Sequence, residues 1–200
     1  MAINDLKKYL GACNYVNTDV GRNAKKLHVM KQILFLVVII LTLSLNSKGQ
    51  DTTVLKRTPY TLKIEVDKKN FYEDQIGATP YIFPNNGMQI YPGETIYVEV
   101  VEENGIIKSM KAVKEITKPK TTLTIKFSQK SEKKIHQMMM LEVQNPFPKN
   151  LIYDAKMFLL SNKKWVSTSI YPVMAGLSGF ETWTDIIISL GLDNWKFTDK

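Results

Sequence analysis

Thr95-Ile96-Tyr97-Val98-Glu99-Val100-Val101-Glu102-Glu103-Asn104-Gly105-Ile106-Ile107 is the stretch that decides the fold. Ile96, Val98 and Val100 alternate with Tyr97 and Glu99, the period of two expected of a strand with one buried face. Asn104-Gly105 follows. Both residue types tolerate positive φ, so the pair predicts a two-residue hairpin turn and an antiparallel return from Ile106. Residues 107–117, with Ile107, Met110 and Val113 set among lysine and glutamate, also fit a short helix, but the turn before them favours strand.

The same alternation recurs on both sides. Leu62, Ile64 and Val66 alternate with Lys63, Glu65 and Asp67, and Leu123, Ile125 and Phe127 form another run, as do Met139, Leu141 and Val143. Leu151, Tyr153, Ala155, Met157 and Leu159 are predicted on one face, with Asp154 and Lys156 opposite. Ile186, Ile188, Leu190 and Leu192 alternate towards Trp195 and Phe197. Asn145-Pro146-Phe147-Pro148-Lys149-Asn150 cannot continue a central strand and reads as a connection. Ser161-Asn162-Lys163-Lys164 reads as a turn into a strand over residues 165–171. All eight prolines lie beyond residue 58 and punctuate these runs. About eight short strands at fairly regular spacing predict an all-β chain, a single immunoglobulin-like β-sandwich over residues 50–200.

The first fifty residues differ in kind. Residues 33–45 carry no charge, too short a run for a bilayer-spanning helix but the length of a secretory signal's apolar region. Lys25, Lys26 and Lys31 supply the basic flank, and Ser47 and Gly49 place small residues at −3 and −1 of a cleavage site. The reading is a signal peptide at 30–49 beginning at Met30, with a hydrophobic helix at 33–45. Residues 1–29 are then an over-called start or an extension without a fold. A buried core helix and an uncleaved anchor are the alternatives. Leu10-Gly11-Ala12-Cys13 mimics a lipoprotein box, but no apolar region precedes it. Export to the periplasm, outer surface or medium is expected, with membrane contact only through this segment if it stays uncleaved.

Charge must be read against that boundary. The chain has 27 Lys+Arg, 19 Asp+Glu and a formal net charge of +8. Residues 1–49 hold seven of the basic and two of the acidic residues, leaving +3 over 50–200. Hydrophobic residues at 44% exclude a disordered chain, and a mean hydropathy of −0.16 excludes a polytopic membrane protein. Lys108, Lys111, Lys114, Lys118, Lys120, Lys126, Lys130, Lys133 and Lys134 form one basic stretch against Glu115 and Glu132. Lysines without arginine give little geometric specificity, and Phe127 alone interleaves them, so nucleic acid is an unlikely partner. A solvated lysine-rich edge, or attraction to an anionic surface, is expected instead.

Chemistry is sparse. His136 is the one histidine after residue 49, no Gly-x-Ser-x-Gly elbow supplies a serine nucleophile, and the single cysteine is Cys13. No metal site and no cofactor are expected, and no residue is assigned a catalytic role. Among the carboxylates Glu102, Glu103, Asp154, Glu181 and Asp185, the pair Glu181 and Asp185 flanking Trp183 is the most site-like. Trp165, at a strand start behind two lysines, is the ring expected to be exposed, and Trp165 and Trp183 are the candidate stacking surfaces. Met138-Met139-Met140 should place at least one methionine in the core.

Tyr91-Pro92-Gly93-Glu94-Thr95 leading into Ile-Tyr-Val-Glu-Val resembles the turn-and-strand approach of immunoglobulin-like bacterial domains. Leu-Glu-Val-Gln-Asn-Pro-Phe at 141–147, Leu-Ile-Tyr-Asp-Ala at 151–155 and Phe-Glu-Thr-Trp at 180–183 resemble uncharacterised secreted β-sandwich proteins of Bacteroidota-type bacteria. The resemblance implies a fold and an exported location, and no activity. The expected function is a non-enzymatic binding or structural module of the cell envelope, facing an envelope protein, a glycan or an anionic surface. A small carboxylate-dependent glycan hydrolase and a membrane-anchored envelope component are the alternatives.

Overall fold

The computed structural model describes residues 54–198. The segments expected at 1–29 and 30–49, with the hydrophobic helix at 33–45 and Cys13, lie outside the described residues. The described chain is all-β, with antiparallel pairing throughout and no α-helix. Its strands are β1 (Tyr60–Glu65), β2 (Phe71–Ile76), β3 (Met88–Ile90), β4 (Thr95–Glu103), β5 (Ile106–Val113), β6 (Thr122–Glu132), β7 (Ile135–Gln144), β8 (Asn150–Leu159), β9 (Trp165–Thr168), β10 (Ser178–Trp183) and β11 (Ile187–Thr198).

Eleven strands replace the eight expected. The three additions lack the pattern that marks a strand in sequence. In β2 only Ile76 is buried, β3 is three residues long, and β10 alternates exposed with half-buried residues. The decisive hairpin is as read: β4 pairs with β5, and Asn104 (φ 53°) and Gly105 (φ 82°) form its turn. The helical option for residues 107–117 is not adopted.

Three sheets result, with orders β1-β2, β10-β7-β6-β4-β5 and β3-β11-β8-β9. The two larger sheets share one core. Ile96, Val98 and Val100 of β4, Leu123, Ile125 and Phe127 of β6, and Met139, Leu141 and Val143 of β7 come from one sheet; Leu151, Tyr153, Ala155, Met157 and Leu159 of β8 with Leu190 and Leu192 of β11 come from the other. At about 25 cal/mol per Å2 of apolar surface, this shared core is the main favourable term holding the sheets together.

The run at 186–192 departs from simple alternation. A register shift between Ile187 and Ser189 marks a bulge in β11. Adjacent strand residues face opposite ways, so Ile187 enters the shared core and Ile188 joins a second cluster with Leu62, Ile64 and Ile76; the bulge then re-aims the following residues and returns Leu190 to the core face. The β1-β2 hairpin therefore packs over β11 at its bulge, against Ile188. It is also fastened to the five-stranded sheet, where Gln129 Oε1 accepts the Glu65 N–H at 2.9 Å and Gln129 Nε2 donates to Glu65 O at 2.7 Å.

Buried asparagine fixes the proline-rich connection. Asn145 is inaccessible, and its Nδ2 donates to Lys149 O, Val173 O and Met174 O, while its Oδ1 accepts the Phe147 N–H. Together these bonds hold residues 145–150 against 173–174 and leave neither end of the buried amide unpaired. Phe147, thus fixed, packs on Phe197 with centroids 4.6 Å apart.

Candidate functional site

The outer face of the β3-β11-β8-β9 sheet carries a groove of about 460 Å3, bounded by Phe83, Gln89, Lys156, Trp165, Gly191 and Asp193. Registry explains why these residues meet. Gly191 pairs with Gln89 on one side and Lys156 on the other, and Phe158, two residues beyond Lys156 on the same face, pairs with Trp165. The Trp165 ring is tilted 40° against Phe158 at 5.3 Å. It then lies over Gly191, where a Cβ would stand 3.4 Å from the indole. A glycine inside a central strand is costly, and a cross-strand aromatic ring covering it recovers part of that loss. One face of the indole is thus supported, while Trp165 remains 48% exposed.

The opposite wall is equally fixed. Residues 83–87 turn back on themselves through a Phe83 N–H to Gly87 O bond of 2.6 Å, with Asn85 (φ 63°) and Asn86 (φ 61°) in the left-handed region that asparagine tolerates. Asn86 Oδ1 accepts the Met110 N–H at 3.0 Å, tying the turn to β5. At one end of the groove Lys156 Nζ and Asp193 Oδ2 stand 4.0 Å apart, both substantially exposed. Gln89 is held at the floor by donating to Ser189 Oγ at 3.1 Å. The groove therefore offers rigid aromatic surface beside one cation and one carboxylate.

A second constellation lies outside the residues that the sequence pattern singles out. Arg57 is only 2% exposed, and every N–H of its guanidinium is used. Nε donates to Glu94 Oε1 at 2.8 Å and Nη2 to Glu94 Oε2 at 3.4 Å; Nη1 donates to Thr79 Oγ1 and Pro80 O, and Nη2 also to Gln89 O. The guanidinium carbon lies 4.4 Å from the Tyr81 ring centre and 5.2 Å from that of Tyr91. Glu94 additionally accepts from the Tyr60 hydroxyl and the Tyr91 N–H. Burial, reinforced by the Glu94 charge, pushes the Tyr60 phenol well above its ordinary value. This saturated cluster lies beside a groove of about 560 Å3 that includes Tyr60, Lys63, Tyr81 and Glu94. Its guanidinium and its carboxylate are both fully engaged by the protein. One signal could have found it: only two arginines, Arg22 and Arg57, stand among 27 basic residues. Arginine is the cation suited to a buried, bidentate pair.

The residues singled out from sequence are not brought together. Trp183 is half-buried on β10, where its Nε1–H donates to Thr168 Oγ1 at 3.2 Å. Thr168 and Trp165, three residues apart on β9, point to opposite faces, so the two tryptophans do not share a surface. Glu181 Oε1 accepts the Tyr171 N–H at 2.9 Å. Its charge adds to burial in raising the Tyr153 phenol. Asp185 is exposed in the connection beyond the end of β10.

The lysines do not form one edge. Lys108 and Lys111 lie on edge strand β5, Lys114, Lys118 and Lys120 on the β5–β6 connection, Lys126 and Lys130 on internal strand β6, and Lys133 and Lys134 at the β6–β7 turn. Glutamates interleave them: Lys111 is registered with Glu99 and Lys126 with Glu142, and Lys118 Nζ sits 3.1 Å from Glu99. That contact with Lys118 is the main reason the Glu99 carboxyl is lowered below the usual carboxylate range.

His136 bridges Gln129 (Nδ1, 2.9 Å) and Thr184 O (Nε2, 3.0 Å). No cluster of three metal-ligating His, Cys, Asp or Glu side chains occurs among the described residues. Met139 is fully buried, as the methionine run predicts. No protein-family model, curated protein or solved structure matches the chain.

Proposed function

We propose that the protein is an exported, non-enzymatic binding module of the cell envelope, built as a β-sandwich that is immunoglobulin-like in the broad sense of two antiparallel sheets over one core. The observation that carries this reading is the Trp165 groove: a supported aromatic face, a rigid Phe83 wall and two exposed groups of opposite charge on the outer face of a sheet. Surfaces that combine fixed aromatic area with a few polar groups are those that bind selectively. The carboxylate pair proposed from sequence lends a hydrolase little support, because Glu181 is engaged with the Tyr171 backbone. The apolar run at 33–45 and the small residues Ser47 and Gly49 support export with cleavage before Gln50.

Two measurements test this reading. N-terminal sequencing of protein recovered from the envelope is expected to begin at Gln50; a product starting upstream of Lys31 overturns the export route. Co-sedimentation with isolated envelope is expected for the wild type and lost in a Phe83→Ala/Trp165→Ala double variant. Sedimentation indifferent to both rings removes the groove from the function.

A further inference from the structure

We propose that the Trp165 groove binds a neutral oligosaccharide, with a sugar ring lying on the free indole face and neighbouring hydroxyls held by Lys156 and Asp193; this rests on the binding-module reading above and names its ligand class.

Three features select this chemistry. The first is the flat platform. Trp165 is braced from below by Phe158 and the bare backbone of Gly191, so its exposed face is fixed in orientation before anything binds. A pyranose ring presents a flat face of C–H bonds and a rim of hydroxyls, the complement of an aromatic face bordered by polar groups.

The second is the loose ion pair. At 4.0 Å, Lys156 and Asp193 are too far apart for a normal hydrogen bond. With Lys156 54% and Asp193 42% exposed, each keeps capacity for another partner. A pair of adjacent hydroxyls uses both at once, donating to the carboxylate and accepting from the ammonium. A wholly apolar ligand would instead strip water from two charges and return nothing for it.

The third is the sign of the surroundings. Asp154 lies close by, joined to Asn194 Nδ2 at 2.7 Å, and Asp193 stands in the groove itself. Lys163 and Lys164 precede Trp165, but within the lining Asp193 balances Lys156, so the groove itself offers a phosphate chain or a uronic-acid polymer no net positive charge.

Gel electrophoresis of the whole protein through soluble hydroxyethylcellulose, laminarin, xylan and dextran, with alginate as the acidic control, provides the test. Retardation by at least one neutral polymer is expected, weakened about tenfold in Trp165→Ala, equivalent to about 1.4 kcal/mol. Asp193→Ala, at an exposed site, should weaken it too and serves if the tryptophan variant folds poorly. Absence of retardation by every neutral polymer, retardation by alginate alone, or equal retardation of both variants and wild type overturns the inference. If envelope co-sedimentation still depends on Phe83 and Trp165 in that case, only the ligand class falls. If that dependence is missing as well, the binding-module reading falls with it.

Discussion

The Arg57 cluster and the Trp165 groove are made of the same parts. Each sets one cation and one carboxylate beside aromatic rings, and both touch Gln89, whose backbone carbonyl accepts from Arg57 while its side chain lines the groove. They differ in saturation. Arg57 and Glu94 are nearly inaccessible, 2.8 Å apart, and use all their hydrogen-bonding capacity on the protein. Lys156 and Asp193 are exposed, 4.0 Å apart, and use little of theirs. Residue type does not distinguish a structural clamp from a site with something to offer a ligand; the accounting of donors and acceptors does.

Breaking the clamp should have the largest effect. Glu94→Gln turns one acceptor into a donor facing the Tyr91 N–H or the guanidinium and leaves a buried arginine without its counter-charge. A loss of about 3–5 kcal/mol is expected in urea denaturation. Arg57→Lys should approach that loss, since an ammonium cannot supply a forked pair together with bonds to Thr79, Pro80 and Gln89. A loss below about 1 kcal/mol for both would remove the distinction between the two regions.

Alkali tests the same cluster without mutation. Burial raises the phenols of Tyr60, Tyr81 and Tyr91, with Glu94 adding to it in each. A raised acid stays protonated in the folded chain after it ionises in the unfolded one. Its stabilisation is therefore complete below the unfolded value of 10.0 and fades as pH rises from there towards the folded value. The urea midpoint should fall as pH passes 10, and Tyr60→Phe should lessen that fall. A midpoint flat to pH 11 would contradict the burial of these rings.

Much of the architecture was legible because it rests on short-range pattern. The alternation of Ile96, Val98 and Val100 and the Asn104-Gly105 turn each report a local backbone preference, and the structure adopts both. The strands missed in sequence, β2, β3 and β10, are defined by partners rather than by their own periodicity. The β11 bulge is equally silent, since Ile186 to Leu192 reads as smooth alternation until Ile188 is claimed by the β1-β2 hairpin. The site was half legible. Trp165 stood out as an exposed ring, but its neighbours arrive from β3, β8 and β11 through non-local pairing. Trp183 drew attention by its proximity to Glu181 in sequence, and strand alternation then placed it on another face.

Within the groove, Trp165→Ala sharpens the comparison at a smaller scale. It removes the ring from Phe158 and uncovers Gly191, and a loss of about 0.5–1.5 kcal/mol is expected, well below that of Glu94→Gln. Restoring a ring with Trp165→Phe should recover part of it. A loss equal to that of the clamp variants would mean that the indole serves mainly as structural cover.

The smallest effect on stability should come from Asp193→Ala. An exposed pair at 4.0 Å in high dielectric is worth about 0–1 kcal/mol, and salt screens what there is. The urea midpoint of this variant should therefore lie close to that of the wild type and converge on it further as salt is added. On the proposed reading its consequences belong to binding instead, because the carboxylate's free capacity is what the variant deletes. In the Arg57 cluster the two readouts are tied together, since Arg57 also holds the backbone carbonyl of Gln89, a residue of the groove. At Asp193 they come apart: near-native stability with weakened retardation places the residue in a site, whereas a loss of stability as large as that of Glu94→Gln would make the groove a second clamp.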